Sequence, residues 1–394
     1  MATKAYIGVN SVARRVHKIY IGVNNVAKRV RKGYIGVAGV ARLFFLGAGK
    51  VSFKQTKSLG TARSELGACT VGNYAIFGPG RISSSANGGH YETYNASLTA
   101  GSVSTTGDSL KYGYGAATAG EYAIFAGGLS TSATSDCTSI HTSLTKVTGF
   151  ANLAENKVNM GAVSFNGYAI FAGGYDSSQS MQPGQGSLGS VDAFNGSLTK
   201  YSLTDISPAR YSMGSATTSN YVMFAGGYMS SSGATYSADR YDTSLTKITN
   251  DGYTKLSNSR YLLAGASVGR YALFAGGGEG NNVKTTVDAF NESGTRSSAT
   301  ALSQARKALA ATTLGDYAIF AGGTNGAYDD VTYTTIDTYD TSLTRQTNLS
   351  LSAKRQELAG TTIGNYAIFA GGNSKDSISG MTPSNVVDIY ELTF

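Results

Sequence analysis

A chain of 394 residues has room for one large repeat architecture or for two to three ordinary domains, and 51 Gly, only 4 Pro and no Trp suit short strands and tight turns and argue against helices. The formal charge of +8 is unevenly placed: residues 1–50 hold ten Lys or Arg and no Asp or Glu, while the rest carries 22 basic against 24 acidic residues. The body of the chain is therefore not a basic nucleic-acid binder. No apolar run reaches the roughly 18 residues of a membrane span, and the N-terminus lacks a secretory signal pattern. The expectation is synthesis in the cytoplasm without a signal peptide and no membrane span. Cys69 and Cys137 fall in different repeats without metal-ligand spacing and read as buried free thiols.

The first segment repeats every 14 residues, as YIGVNSVARRVHKI from Tyr6, YIGVNNVAKRVRKG from Tyr20 and YIGVAGVARLFFLG from Tyr34. Each unit is two β-rich runs around a dipeptide, Asn10-Ser11, Asn24-Asn25 or Ala38-Gly39. Such dipeptides suit a two-residue hairpin loop, which needs positive φ. Residues 1–50 are thus expected to form one thin sheet of three basic hairpins. A sheet that thin buries little alone, so it should pack on another copy or a partner. Its candidate attachment residues are Arg14, Arg15, Lys28, Arg29, Arg31 and Lys32.

From about Val51 the period becomes 46 to 53 residues, measured between Phe77, Phe125, Phe171, Phe224, Phe274, Phe320 and Phe369. Each Phe sits in a run such as YAIFAGG that is apolar on both faces and ends in paired glycines. Propeller blades have this period, and a blade sandwiched between neighbours buries both faces. Each repeat reads as a small-residue strand, the apolar strand, a loop, an Asp-x-Tyr strand and a Ser-Leu-Thr-Lys strand. The paired glycines should let backbones approach where a side chain would collide. The chain ends in a third strand without its fourth, and Val51–Thr56 resembles the fourth-strand run at Ser342–Thr347. An all-β, seven-bladed propeller spanning 51–394 follows, its last blade closed by the first strand after the hairpins.

The Gly-Gly after an apolar strand, the Asp-x-Tyr strand and the Arg before each first strand together resemble kelch repeats over about 340 residues. The Trp usual in the kelch fourth strand is missing. The YIGV-x-x-VAR array resembles segments at the start of prophage-encoded virion and tail-associated proteins of Gram-positive bacteria. That resemblance implies a component of a phage particle, located in the virion.

In a four-stranded meander the connections alternate between two faces. The turns joining strands one to two and three to four are short and alike, whereas the loops joining two to three are long and unalike, for example YDSSQSMQPGQGSLGS from Tyr175 and NSKDSISGMTPS from Asn373. Their Ser, Gly, Asn and Tyr content matches that of adaptable binding loops. The same composition also suits freely drifting polar loops. Loop-face candidates are His90, Tyr175, Tyr228 and Tyr328. A basic residue precedes every first strand: Arg63, Lys111, Lys157, Arg210, Arg260, Arg306 and Arg355. These seven read either as a ring at the channel mouth that takes anions such as teichoic acid phosphates, or as internally paired cations. The pairing alternative offers six acidic partners, Glu92, Asp192, Asp239, Asp288, Asp337 and Asp388. Because fourth strands start on the short-turn face, the hairpins are expected to leave from that face, opposite the variable loops.

Catalysis finds little footing. The three histidines, His17, His90 and His141, are scattered, and neither a nucleophile elbow, a phosphate loop nor a close His–carboxylate pair stands out. No cofactor and no metal site are expected, and the chain reads as non-enzymatic. The leading reading is a virion protein whose propeller loops bind a host-surface polysaccharide or receptor and whose hairpins hold it, as a homo-oligomer, to other virion proteins. A capsid or tail decoration protein without a receptor role comes second. Nucleic-acid binding through the basic N-terminus comes third, because its cations alternate with Val and Ala and few aromatics accompany them.

Overall fold

The computed structural model describes residues 6–9, 12–15, 19–23, 26–30, 32–37, 40–46 and 49–393, apart from 84–85, 106–109, 180–185, 250–254, 327–330 and 377–379. Nearly all of the regular structure is β, with one short 3-10 turn at Ser177–Gln179. The chain divides into two compact units, residues 1–54 with 390–394, and residues 55–389.

In the first unit Tyr6–Val9 pairs with Val12–Arg15, Ile19–Val23 with Val26–Val30, and Lys32–Val37 with Val40–Leu46. The innermost pairs, Val9 with Val12, Val23 with Val26 and Val37 with Val40, leave the two-residue loops that the sequence requires. The hairpins form three separate two-stranded sheets, which corrects the single thin sheet expected.

Strands between Lys50 and Thr393 build the ring. Seven antiparallel four-stranded sheets follow one another, making a seven-bladed β-propeller. Blade 6 is typical, with strands Ala310–Leu314, Tyr317–Ala321, Thr335–Tyr339 and Arg345–Ser350. Burial peaks in mid-blade: Ala318, Ile319, Phe320 and Ala321 have no exposed surface, whereas the outer strand Arg296–Ser298 of blade 5 is exposed throughout. A strand buried on both faces needs no alternation, which explains the YAIFA runs. Five of the seven Phe residues meet an aromatic ring of the third strand edge-on, as in Phe320–Tyr339 at 5.8 Å and Phe77–Tyr94 at 6.3 Å. The seventh blade runs Ala359–Ile363, Tyr366–Ala370, Val386–Thr393 and then Lys50–Ser58, so the first strand after the hairpins supplies the outer strand of the last blade.

The turn between third and fourth strands shows why the Ser-Leu-Thr motif recurs. Asn95, Asn195, Asp242 and Asp340 each use a side-chain oxygen to accept from the backbone N–H two residues on. The Leu that follows adopts the left-handed region, with φ of 60° at Leu98 and 61° at Leu343, and blade 5 places Gly294 there. Leu98 accepts that strain while burying its side chain in the core at 5 % exposure.

The paired glycines work between blades. A Cβ on Gly322 would lie 2.4 Å from the carbonyl oxygen of Arg355 in the next blade, and the N–H of Gly323 donates to that oxygen at 2.8 Å. The same bond joins Gly128 to Lys157, Gly174 to Arg210, Gly227 to Arg260, Gly277 to Arg306 and Gly372 to Arg63. A second set of bonds closes a full circle. The N–H of Glu65 donates to Glu357, Glu357 to Ala308, Ala308 to Leu262, Leu262 to Ser212, Ser212 to Asn159, Asn159 to Gly113 and Gly113 back to Glu65, all at 2.7–3.0 Å. All seven residues have φ between 52° and 64°.

Candidate binding face

The seven cations are placed by the residue that begins each blade's descent into the ring, two positions before the left-handed residue of that circle. Arg306 Nη1 meets Asp337 Oδ2 at 2.8 Å, and Arg210, Arg260 and Arg355 meet Asp239, Asp288 and Asp388 at 2.7, 2.8 and 2.5 Å. Arg63 pairs with Glu92 at 2.7 Å and Lys157 with Asp192 at 3.4 Å. These six cations have no exposed surface, so they do not form an open ring at the channel mouth. Many of their other donors go to backbone carbonyls, as Arg210 does to Gly226 and Phe224, whereas the buried Nε of Arg260 and of Arg306 meets no acceptor. Burial pulls Lys157, Arg210, Arg260 and Arg306 below their ordinary pKa, against the opposing pull of the paired carboxylates.

The seventh cation, Lys111, has the partner that the sequence did not supply, Asp136, at 3.1 Å. In the other blades the acid lies directly across from the Phe of the second strand, as Asp192 does from Phe171 and Asp337 from Phe320. Phe125 instead faces Thr138, and the carboxylate has moved two residues toward the loop face. Two residues keep the same side of a strand, so the pairing survives in a wetter place, with the Asp136 side chain 54 % exposed.

One part of the rim on the loop face is aromatic. In each blade the residue after the buried cation forms a β-bridge with a residue just past the glycine pair, as Val158 does with Tyr175, Tyr211 with Tyr228 and Tyr261 with Gly278. The result is an arc of half-buried tyrosines, Tyr175–Tyr211 at 5.0 Å, Tyr211–Tyr228 at 5.6 Å and Tyr228–Tyr261 at 5.0 Å between ring centroids. Lys307 Nζ lies 5.8 Å from the Tyr261 ring, extending the arc with a cation. Burial first, and then the neighbouring phenols, raise the pKa of Tyr211 and Tyr261, so both stay neutral donors. Across the mouth the positions are polar: Arg81 pairs with Glu65 at 3.1 Å, and Asn373 bonds Gln356 and Glu357.

Of the loop-face candidates, Tyr175 and Tyr228 join the arc, His90 is exposed with its carbonyl accepting from Arg63, and Tyr328 lies outside the described residues. Tyr211 and Tyr261 were missed, although each directly follows a conspicuous Arg. Of the attachment candidates, Arg14, Arg15, Lys28, Arg29 and Lys32 lie on hairpin strands, and Arg31 is outside the described residues. Four of the long loops are themselves small hairpins, such as Tyr228–Met229 with Gly233–Ala234 and Asn373–Asp376 with Gly380–Pro383.

Pairing of the second and third strands within blade 2 creates one His–carboxylate contact that the sequence did not reveal. His141 Nε2 lies 3.3 Å from Glu121 Oε2, and its Nδ1 lies 2.8 Å from Ser143 Oγ. His141 holds the turn position that Asn95 and Asp242 hold elsewhere, and its Nδ1 likewise accepts the Ser143 N–H at 3.2 Å. The contact caps a turn, with Glu121 74 % exposed. Cys69 and Cys137 are both buried and unpaired, and burial pushes each thiol up to about 12. Among the described residues no three His, Cys, Asp or Glu converge as a metal site requires, and no helix is long and apolar enough to cross a membrane.

No protein-family model matches the chain, and no curated protein matches it in sequence. The class that the fold defines is a seven-bladed propeller with an aromatic arc beside a face of unequal loops.

Proposed function

We propose that the protein is a non-enzymatic component of a phage particle whose propeller binds polysaccharide or a receptor on the surface of a Gram-positive host. The observation that carries this reading is the tyrosine arc lying among the diversified loops of a single face. Tyrosine presents broad, rigid and amphipathic contact area at low entropic cost, and neutral phenols add hydrogen bonds to hydroxyl-rich ligands. The opposite turns are uniform because they only join strands. The resemblance of the YIGV-x-x-VAR hairpins to virion-associated segments supports attachment of residues 1–50 to other virion proteins, as a homo-oligomer. Several copies on one particle would turn weak single contacts into avid adhesion.

The test uses the full chain and measures binding to whole Gram-positive cells and to purified wall polysaccharide. The wild type is compared with a Tyr211→Ser, Tyr228→Ser double variant. Saturable binding that the double variant loses supports the reading. Absence of binding by the wild type, with the protein still joining particles, would move it to the decoration class.

A further inference from the structure

One blade junction departs from the other six. Six of the buried cations are preceded, four residues earlier, by a buried Leu or Ile: Leu59, Leu153, Ile206, Leu256, Leu302 and Leu351. The position four before Lys111 is Gly107. At the same junction Pro79 takes the place of the first glycine of the pair, and the second, Gly80, does not donate to the Lys111 carbonyl, the bond that all six other junctions make. Tyr114 stands where the other blades place Leu or Met, and its hydroxyl donates to the Pro79 carbonyl. Lys111, like Lys157, stands where the other five blades have Arg, and Thr138 replaces the acid opposite the Phe.

These substitutions coincide with a cavity of about 230 Å³ on the loop face of blades 1 and 2. Tyr91, Tyr114 and Phe125 make one wall, with ring centroids 4.9 Å apart for Tyr91–Phe125 and 5.9 Å for Tyr114–Phe125. Lys111, Asp136 and Thr138 also line it, Thr138 directly across the strand pair from Phe125. Lys111 Nζ uses two of its three donors on Thr134 and Asp136, so one remains. Asn152, also on the wall, spends its Oδ1 on the Cys137 N–H and keeps its NH₂. Thr138 makes no side-chain hydrogen bond among the described residues. Asp136 leaves its second oxygen as an acceptor.

We infer that this junction is a binding pocket for a single pyranose ring, stacked on the Tyr91, Tyr114 and Phe125 wall and hydrogen-bonded to Lys111, Asp136, Thr138 and Asn152. A sugar ring has an apolar C–H face and an edge of hydroxyls that both donate and accept, and the cavity offers a matching wall and mixed donors and acceptors. The paired Lys111 and Asp136 leave no net charge for a phosphate or carboxylate to neutralise. The volume falls below the roughly 300 Å³ of drug-sized pockets, which suits one ring better than a chain of them. This pocket lies apart from the tyrosine arc and does not rest on the adhesion reading.

The test is ligand-observed NMR and calorimetry on the full chain with methyl glucoside, methyl galactoside and N-acetylglucosamine. A dissociation constant of about 1 mM or tighter is expected for at least one of them. The Lys111→Arg, Thr138→Asp double variant restores the pattern of the other blades and fills the cavity. It should weaken binding at least tenfold while its denaturation midpoint stays the same or rises. Asp136→Asn, at an exposed position that tolerates substitution, gives a second reading and should also weaken binding. Failure of all three sugars to bind, or undiminished binding by either variant, overturns the inference. Competition between the bound glycoside and wall polysaccharide then tells whether the ring comes from a chain end or from a free sugar. Serine variants of Tyr211 and Tyr228 leave this pocket intact, so failure of the adhesion reading and failure of this one produce different results.

Discussion

Replacing Asp337 by Ala tests what holds each blade's head together. Its Oδ2 accepts from Arg306 Nη1 at 2.8 Å and from the Ser303 N–H at 3.1 Å, and neither Asp337 nor Arg306 has exposed side-chain surface. Truncation leaves a guanidinium buried and uncompensated, which costs about 3–5 kcal/mol. The same change at Asp136 removes a carboxylate that is 54 % exposed, and its ion pair with Lys111 contributes less than about 1 kcal/mol. Urea denaturation of both variants followed by circular dichroism should separate their midpoints widely. Replacing the buried pair together, as Arg306→Met with Asp337→Leu, should recover most of the loss, because no charge is then stranded. If Asp337→Ala and Asp136→Ala cost the same within about 1 kcal/mol, the buried pairs do not carry the stability argued here.

The glycine pairs give a sharper contrast. Gly322→Ala combines a φ of +66° with an Arg355 oxygen 2.4 Å away and should cost roughly 3 kcal/mol or more, whereas Gly280→Ala, with φ of +56° and open space, should cost only the left-handed strain of about 1–2 kcal/mol. Thermal melts of the two variants check this. Alkali should destabilise the fold in a defined window. Desolvation pushes Cys69, Cys137, Tyr94 and Tyr221 up to about 12 from ordinary values of 9.0 and 10.0. Between pH 9 and 12 the unfolded chain therefore binds fewer protons than the folded one, and stability falls as pH rises through that window. Tyrosinate absorbance should show a cooperative step close to pH 12 that coincides with loss of circular dichroism; complete ionisation below that pH with circular dichroism unchanged would refute the burial argument. Deleting residues 1–49 should leave a cooperative propeller, while deleting 1–58 removes the outer strand of blade 7 and should lower the melting temperature markedly, as differential scanning calorimetry would report.

The sequence by itself determined the seven blades, because a strand buried on both faces leaves an unmistakable run of apolar residues, and seven copies in phase define a ring. It also determined the closing strand, since Val51–Thr56 repeats the fourth-strand pattern, and the glycine pairs of six blades, which approach the next blade too closely for a side chain. Only the tertiary structure decided that six of the seven cations point inward. A side chain's exposure depends on which backbone carbonyls surround it, and Arg306 finds the oxygens of Phe320 and Gln304 waiting. Asp136 was hidden because its register differs by two residues from its counterparts, and register is fixed by pairing with Phe125's strand, not by the motif. The tyrosine arc was hidden for a related reason: Tyr175, Tyr211, Tyr228 and Tyr261 span 86 residues of chain and meet only because the ring sets neighbouring blades side by side. The irregular junction at Pro79 and Lys111 reads in sequence as mere divergence, and it becomes a cavity only where the packing of six regular neighbours defines what is missing.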